Sequence, residues 1–293
     1  MHPATQSPDY LKNSIISADV SAALRELPST SVHLTFTSPP YYNARDYATY
    51  ASYEDYLKFL VAVFTETHRV TKEGRFLVVN TSPVIEARAR RSEASKRYAI
   101  PYDLHPRLTA IGWEFIDDIT WLKPESAAKN RNGGFYQHRK PLGYKTNPIT
   151  ESVMVYRKKT DKLIDWNMRQ YDTETVESSK ITGPYEKTNV WHINPATDSI
   201  HPAVFPVELA TRIIQFYSFK NDLVFDPFGG SGTVGLAAMR LGRYFLLCEK
   251  KVEYVERITE RTFAGLFSYP ETENPALTYP RVLSLTELKK EFA

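Results

Sequence analysis

The 293-residue chain is long enough for two domains or for one large α/β domain carrying insertions, and with 42% hydrophobic residues it can bury a sizeable core. Its net charge of +3 permits nucleic-acid binding without arguing for it, and the longest clean apolar run, Phe59 to Phe64, is far short of a membrane span. A single cysteine, Cys248, excludes an internal disulfide framework and a cysteine-based zinc cluster. With an N-terminus that lacks an apolar signal region, this predicts a cytoplasmic protein.

Along the chain, strand-like and helix-like stretches alternate as in an α/β sheet with crossover helices. Ile15 to Ser17 reads as a short strand ending at Asp19, and a short helix follows through Leu24 and Leu27. Val32 to Thr37 is a buried-type strand, stopped by Pro39 and Pro40, neither of which can donate to a sheet ladder. Tyr53 to Val70 carries Tyr56, Leu60, Val63, Phe64 and Thr67 at helical spacing. Gly74 leads into a strand from Arg75 to Asn80, then come an arginine-rich loop to Arg97, a helix around Leu104 to Ile111, and a strand from Phe115 to Leu122.

From Lys123 to about Ile200 the alternation breaks. Glycine, asparagine, proline and basic residues dominate, with one good strand, Ser152 to Arg157. Residues 123–200 are therefore expected to form an inserted region between a first half (1–122) and a second half (201–267). The second half reads as a helix from Pro206 to Tyr217, a strand Leu223 to Phe225, a helix Thr233 to Leu241, a strand Tyr244 to Cys248 and a helix from Val252 to Phe263. A proline-rich extension, 268–293, is expected to wrap the surface.

Leu223 to Gly235 holds a glycine-rich turn between strand and helix, where Gly230, Gly232 and Gly235 satisfy G-x-G-x-x-G. Asp226 precedes it, and Glu249 ends the next strand about 20 residues on, as a ribose-binding acid should. No Lys-Ser/Thr pair follows, so it is not a P-loop. Too few residues remain beyond Glu249 to complete a dinucleotide-binding sheet. The remaining strands must come from the N-terminal half, a circular permutation that disfavours a nicotinamide dehydrogenase.

Thr37-Ser38-Pro39-Pro40-Tyr41 follows a strand and should lie at the carboxyl edge, where α/β sheets bind ligands. An exocyclic amine of cytosine or adenine is a poor nucleophile, because its lone pair is delocalised into the ring. Acceptors beside it, such as the Ser38 hydroxyl and the Pro39 carbonyl, can aim that lone pair at a methyl donor. Pro40 fixes φ of the turn, and Tyr41 offers a flat face for an extruded base.

These two motifs, in this order, resemble the β class of DNA amino-methyltransferases, and the likeness covers most of the chain. The resemblance implies a mostly parallel, Rossmann-like methyltransferase sheet, circularly permuted, with target recognition inserted between catalytic and cofactor motifs. It implies S-adenosylmethionine as cofactor, with Asp226, Phe228, Gly230 and Gly232 in the cofactor loop and Glu249 on the ribose hydroxyls. It further implies Asp19 near the adenine, and His201 and Phe205 near the methionine end. Trp121-Leu-Lys123-Pro resembles a later strand motif, although the Trp121 ring by itself reads as core. Cys248 sits inside an apolar strand, so the thiolate chemistry of cytosine C5 methylation is excluded.

Basic residues cluster in two loops. Arg88, Arg90, Arg91, Lys96 and Arg97 form one group; Lys129, Arg131, Arg139, Lys140 and Lys145 form another, interleaved with Phe135, Tyr136 and Tyr144. Both are expected to meet the phosphates of double-stranded DNA. The expected reaction is methylation of cytosine N4 in a specific site, with adenine N6 as the alternative, behind which stand a non-catalytic regulator and an RNA amino-methyltransferase. No metal is expected. The implied partners are DNA and a cognate restriction endonuclease, and the chain is expected to be a monomer or homodimer.

Overall fold

Strands covered by helices on both faces should read as unbroken apolar runs, and Tyr244 to Cys248 reads that way, whereas Val32 to Thr37 alternates apolar with polar residues yet is buried throughout. A computed structural model describes residues 6–43, 50–86, 90, 92, 95–127, 141–142, 148–196, 204–267 and 280–291. Its first half runs β1 (Ser14–Ser17), α1 (Val20–Glu26), β2 (Val32–Thr37), α2 (Tyr53–Val70), β3 (Thr71–Thr81), β4 (Val84–Glu86), β5 (Lys96–Tyr98), α3 (Ile100–Ile111) and β6 (Trp113–Leu122). There follow β7 (Thr150–Lys158), α4 (Ile164–Met168), α5 (Thr173–Ser179), β8 (Val190–His192), α6 (Val207–Tyr217), β9 (Leu223–Asp226), α7 (Thr233–Arg240), β10 (Tyr244–Glu249), α8 (Val252–Phe267), β11 (Arg281–Ser284) and α9 (Leu285–Lys290).

Among the described residues nine strands form one sheet in the order β11-β1-β10-β9-β2-β3-β7-β6-β8. Every neighbouring pair is parallel except the two made by β7, which runs against both β3 and β6. The permutation is visible in the order: β9 and β10 from the second half fill the gap between β1 and β2. Side chains alternate between the faces as the strand period requires. Val224, Phe245 and Leu247 join Leu209, Ile213 and Ala237 beneath α6 and α7, whereas Phe225, Leu246 and Cys248 join Leu24 and Leu288 beneath α1 and α9. Further along that second face, Leu77, Val79 and Tyr156 pack with Leu60, Phe64 and Leu104 of α2 and α3.

Helix α2 begins where sequence predicts, because the Ser52 side chain accepts from the Asp55 N–H at 3.1 Å and caps it. β3 starts earlier than predicted, at Thr71. Gly74 lies inside it with φ +66°, and its carbonyl accepts from Asn167 Nδ2 at 2.7 Å and Arg157 Nε at 3.0 Å. The arginine-rich loop contains an antiparallel pair, β4 with β5, that polar composition had hidden.

Two boundaries need correction. Residues 123–200 are not a unit apart from the sheet, because they supply its strands β7 and β8. Tyr171, from the same segment, also donates at 2.5 Å to Asp222, which is buried and ion-paired with Arg75. The extension after residue 267 does more than wrap the surface: β11 pairs in parallel with β1, and α9 follows with a capping box built on Ser284 and Glu287. No helix among the described residues is long and apolar enough to cross a membrane.

Candidate active site

Parallel strands deliver their last residues to one edge, and the loops there enclose a cavity of about 770 Å³, within the range of small-molecule sites. Ser38 to Tyr41 arrive from β2, Asn80 from β3, Trp121 and Lys123 from β6, Phe228 to Ser231 from β9, Glu249 from β10, and Ala18 and Asp19 from β1. Glu151 reaches the same edge from the opposite direction, because β7 is reversed and begins where its neighbours end.

One end of the cavity is built around the glycine turn. Glu249 Oε2 accepts from the Gly230 N–H at 3.0 Å and Oε1 from the Lys251 N–H at 2.9 Å, so the turn is tied to the carboxylate. Burial raises the Glu249 pKa against these two hydrogen bonds. At Gly232, φ is +75° and a Cβ would stand 2.9 Å from Ile258 Cγ2, so only glycine fits. Asp19 caps α1 by accepting from the Ser21 N–H at 2.9 Å while lining the cavity. Val20, Phe59, Phe205 and Phe228 add apolar walls, with the Phe205 ring 5.0 Å from Phe36. A carboxylate with spare lone pairs, a backbone stripped of side chains and flat apolar walls are the donor set and shape that an adenosine requires.

Asp226 and Gly232 do not line this cavity. Asp226 is buried, accepting from Thr37 Oγ1 at 2.6 Å and from the Phe228 N–H at 3.0 Å. It fastens the end of β2, next to Ser38, to the glycine turn. Burial pushes its pKa up to about 7, the two hydrogen bonds opposing this and the Glu249 charge adding to it. The unfolded chain ionises near 3.8, so the stability held by protonated Asp226 is full below that pH and is lost as pH rises through about 7. Asp226→Asn keeps the acceptor without the charge. Melting scans at pH 5 and pH 8 are expected to show the variant gaining on the wild type at the higher pH. A difference that is equal at both would contradict the assignment.

At the other end Tyr41, half-buried, donates its phenol to Glu151 Oε2 at 2.8 Å. Burial first and the Glu151 carboxylate second raise the Tyr41 pKa well above its ordinary value, so the ring keeps its proton. Asn80 Nδ2 donates to the same Glu151 oxygen at 2.8 Å and reaches Ser38 Oγ at 3.4 Å. Lys123 is ion-paired with Glu151 and sits 4.6 Å from the Trp121 ring centroid. Asn80 Oδ1 is buried with no hydrogen-bond partner among the described residues, an acceptor that a ligand N–H would satisfy. The Trp121 ring is core as well as cavity wall, donating Nε1–H to the Ile193 carbonyl at 2.8 Å. Cys248 is a packed core thiol whose pKa burial drives upward.

Of the predicted basic residues, Arg90 is exposed; Arg88, Arg91, Lys129, Arg131, Arg139, Lys140 and Lys145 lie outside the described residues, as does His201. Sequence reasoning missed Asn80 and Glu151. Asn80 carries a signal, a polar residue ending an apolar strand at the edge where sites form. Glu151 gives none until the direction of β7 is known.

Comparison with known proteins gives a consistent picture. The N6 and N4 methyltransferase model, described as DNA methylase, matches residues 32–260. The chain is 29% identical over 278 residues to the type II methyltransferase M.Cfr9I of Citrobacter freundii, covering 84% of this chain and 86% of that one. It is 28% identical to the orphan methyltransferase M.BamHII of Bacillus amyloliquefaciens, covering 87% and 97%. Its fold matches that of a putative DNA modification methylase from Thermus thermophilus complexed with S-adenosyl-L-methionine, with a TM-score of 0.68, 27% identity, and 92% and 98% of the two chains covered. PvuII DNA methyltransferase (cytosine-N4-specific) shares the fold at a TM-score of 0.61 and 20% identity, over 96% and 97%.

Proposed function

The chain belongs to the DNA methylase family of N6 and N4 amino-methyltransferases, with S-adenosylmethionine as methyl donor, and we propose that its target is the N4 amine of cytosine within a specific DNA site. The observation that carries this reading is the neutral Ser38 hydroxyl heading the Ser-Pro-Pro-Tyr turn, on the same cavity as Glu249. Serine there is the form usual among the cytosine-N4 members of the class that the chain resembles, whereas aspartate is typical of adenine-N6 members.

The bound cofactor supplies a methyl group activated by its positively charged sulfur. Glu249 holds the ribose hydroxyls, and the Gly230 turn lets the backbone approach closely. Asp19, Val20 and Phe228 line the same cavity and would hold the adenine. Tyr41 stacks the extruded base. The Pro39 carbonyl and Ser38 Oγ take the N–H bonds of the amine, turning its lone pair along the line of attack. Asn80 Nδ2 engages one lone pair of Ser38 Oγ, which leaves the hydroxyl proton able to donate to cytosine N3 beside the amine. Arg90, with Arg88, Arg91, Lys129, Arg131, Arg139, Lys140 and Lys145, takes the backbone phosphates. The stretch between Ala127 and Thr150 provides target recognition. The type II names of relatives support a cognate endonuclease as partner.

Incubating the protein with unmethylated DNA and isotope-labelled cofactor, then hydrolysing to nucleosides, tests the target atom. The label is expected in N4-methylcytosine. Label confined to N6-methyladenine would overturn the choice of base.

A further inference from the structure

We propose that Glu151 is the positioning residue of the reaction centre: its carboxylate fixes the Tyr41 ring, Asn80 and Lys123 in one arrangement before the base arrives. The inference rests on the reading that Tyr41 carries the target base.

Three observations support it. Glu151 is the meeting point of side chains from three separate segments: Tyr41 from the loop after β2, Asn80 from the end of β3, and Lys123 from the end of β6. Its side chain is 13% exposed, so these bonds form out of bulk water, where charge-assisted hydrogen bonds are strong. A phenylalanine ring could stack on a base equally well, and the Tyr41 hydroxyl is spent on the carboxylate instead. A tyrosine in an open loop would otherwise sample several rotamers, and each must be excluded when the base stacks. Through Asn80, the same carboxylate also holds the amide beneath Ser38 Oγ. Stacking platform and acceptor are thus set by a single group that does not need to touch the base.

The test uses the full chain, mixed-sequence unmethylated DNA and labelled S-adenosylmethionine, with kcat and KM measured separately. Glu151→Gln leaves one acceptor for three partners and is expected to lower kcat about 100-fold while both KM values stay within a factor of about two. Melting temperature and S-adenosylhomocysteine affinity should be unchanged. Glu151→Asp keeps the charge opposite Lys123 but is too short to reach the Tyr41 phenol, and it should lose kcat similarly. Tyr41→Phe should lose less, and the Tyr41→Phe, Glu151→Gln double variant should be no slower than Glu151→Gln alone. The proposal is overturned if the two losses multiply, if Glu151→Asp retains full kcat, or if kcat falls only in step with stability or cofactor affinity. A wild type that labels no base would instead overturn the proposed function, which keeps the two failures distinguishable.

Discussion

Ser38→Ala is expected to lower kcat for methyl transfer about 10²–10³-fold, the usual cost of removing one preorganised hydrogen-bonding group from a reaction centre. Cofactor affinity should not change, since the hydrogen bonds that hold Glu249 and the glycine turn run through Gly230, Lys251, Asp226 and Phe228 and do not use the Ser38 side chain. Folding should survive too. The Ser38 Oγ contact with Asn80 is long at 3.4 Å, and the turn is held by Pro39, Pro40 and the Thr37–Asp226 hydrogen bond. Tyr41→Ala should behave similarly, because stacking is lost while the fold keeps its other anchors. Single-turnover transfer of label to DNA, read beside a melting curve and calorimetry with S-adenosylhomocysteine, separates the possibilities. Variants that unfold while activity per folded molecule stays intact would make the turn structural and the mechanism wrong.

Glu249→Ala is expected to weaken S-adenosylhomocysteine binding about 100-fold. Hydrogen bonds to a charged group contribute about 1.5–3 kcal/mol, and tenfold in affinity corresponds to about 1.4 kcal/mol. The loss has two sources: acceptors for the ribose disappear, and the N–H groups of Gly230 and Lys251 lose their anchor. Glu249→Gln retains one acceptor oxygen and should fall between wild type and alanine. Calorimetry on all three proteins measures this directly. Undiminished binding by Glu249→Ala, or tight NAD binding without response to S-adenosylhomocysteine, would reverse the assignment of the cofactor pocket.

Much of this was legible in the sequence wherever the signal is local. Two prolines after the strand Val32 to Thr37 place Ser38 at a strand end, and the stripe from Tyr56 to Val70 sets the bounds of α2. The order of the motifs implied that strands from the two halves must interleave, and they do. What sequence could not reveal depends on direction and depth. Ser152 to Arg157 reads as a strand either way, yet only its reversal brings Glu151, just before it, to the site. Asp226 sits inside a cofactor motif, and the period of a strand does not distinguish a side chain facing a cavity from one buried against Thr37. Four residues from Arg281 to Ser284 are too short and polar to announce an edge strand; they form one because β1 offers them a parallel partner.

The interleaving has a consequence for synthesis of the protein. β1 leaves the ribosome early, but a neighbour, β10, comes far later: the hydrogen bond from Phe245 N–H to Asn13 Oδ1 spans 232 residues. β2 likewise gains one parallel neighbour promptly in β3 and waits for β9 to gain the other. Until β9 has been made, a gap two strands wide separates β1 from β2, and until β10 follows, Ile15 and Ile16 lack the strand that pairs between them and β9. Pairings of such long sequence separation form slowly, and chains that wait for them expose apolar surface to aggregation. The nascent chain therefore cannot complete its catalytic edge piecemeal. It closes in a late event, and an mRNA truncated before codon 223 would yield a protein with the Ser38 turn on β2 and β3 but without the glycine turn and Glu249 beside it.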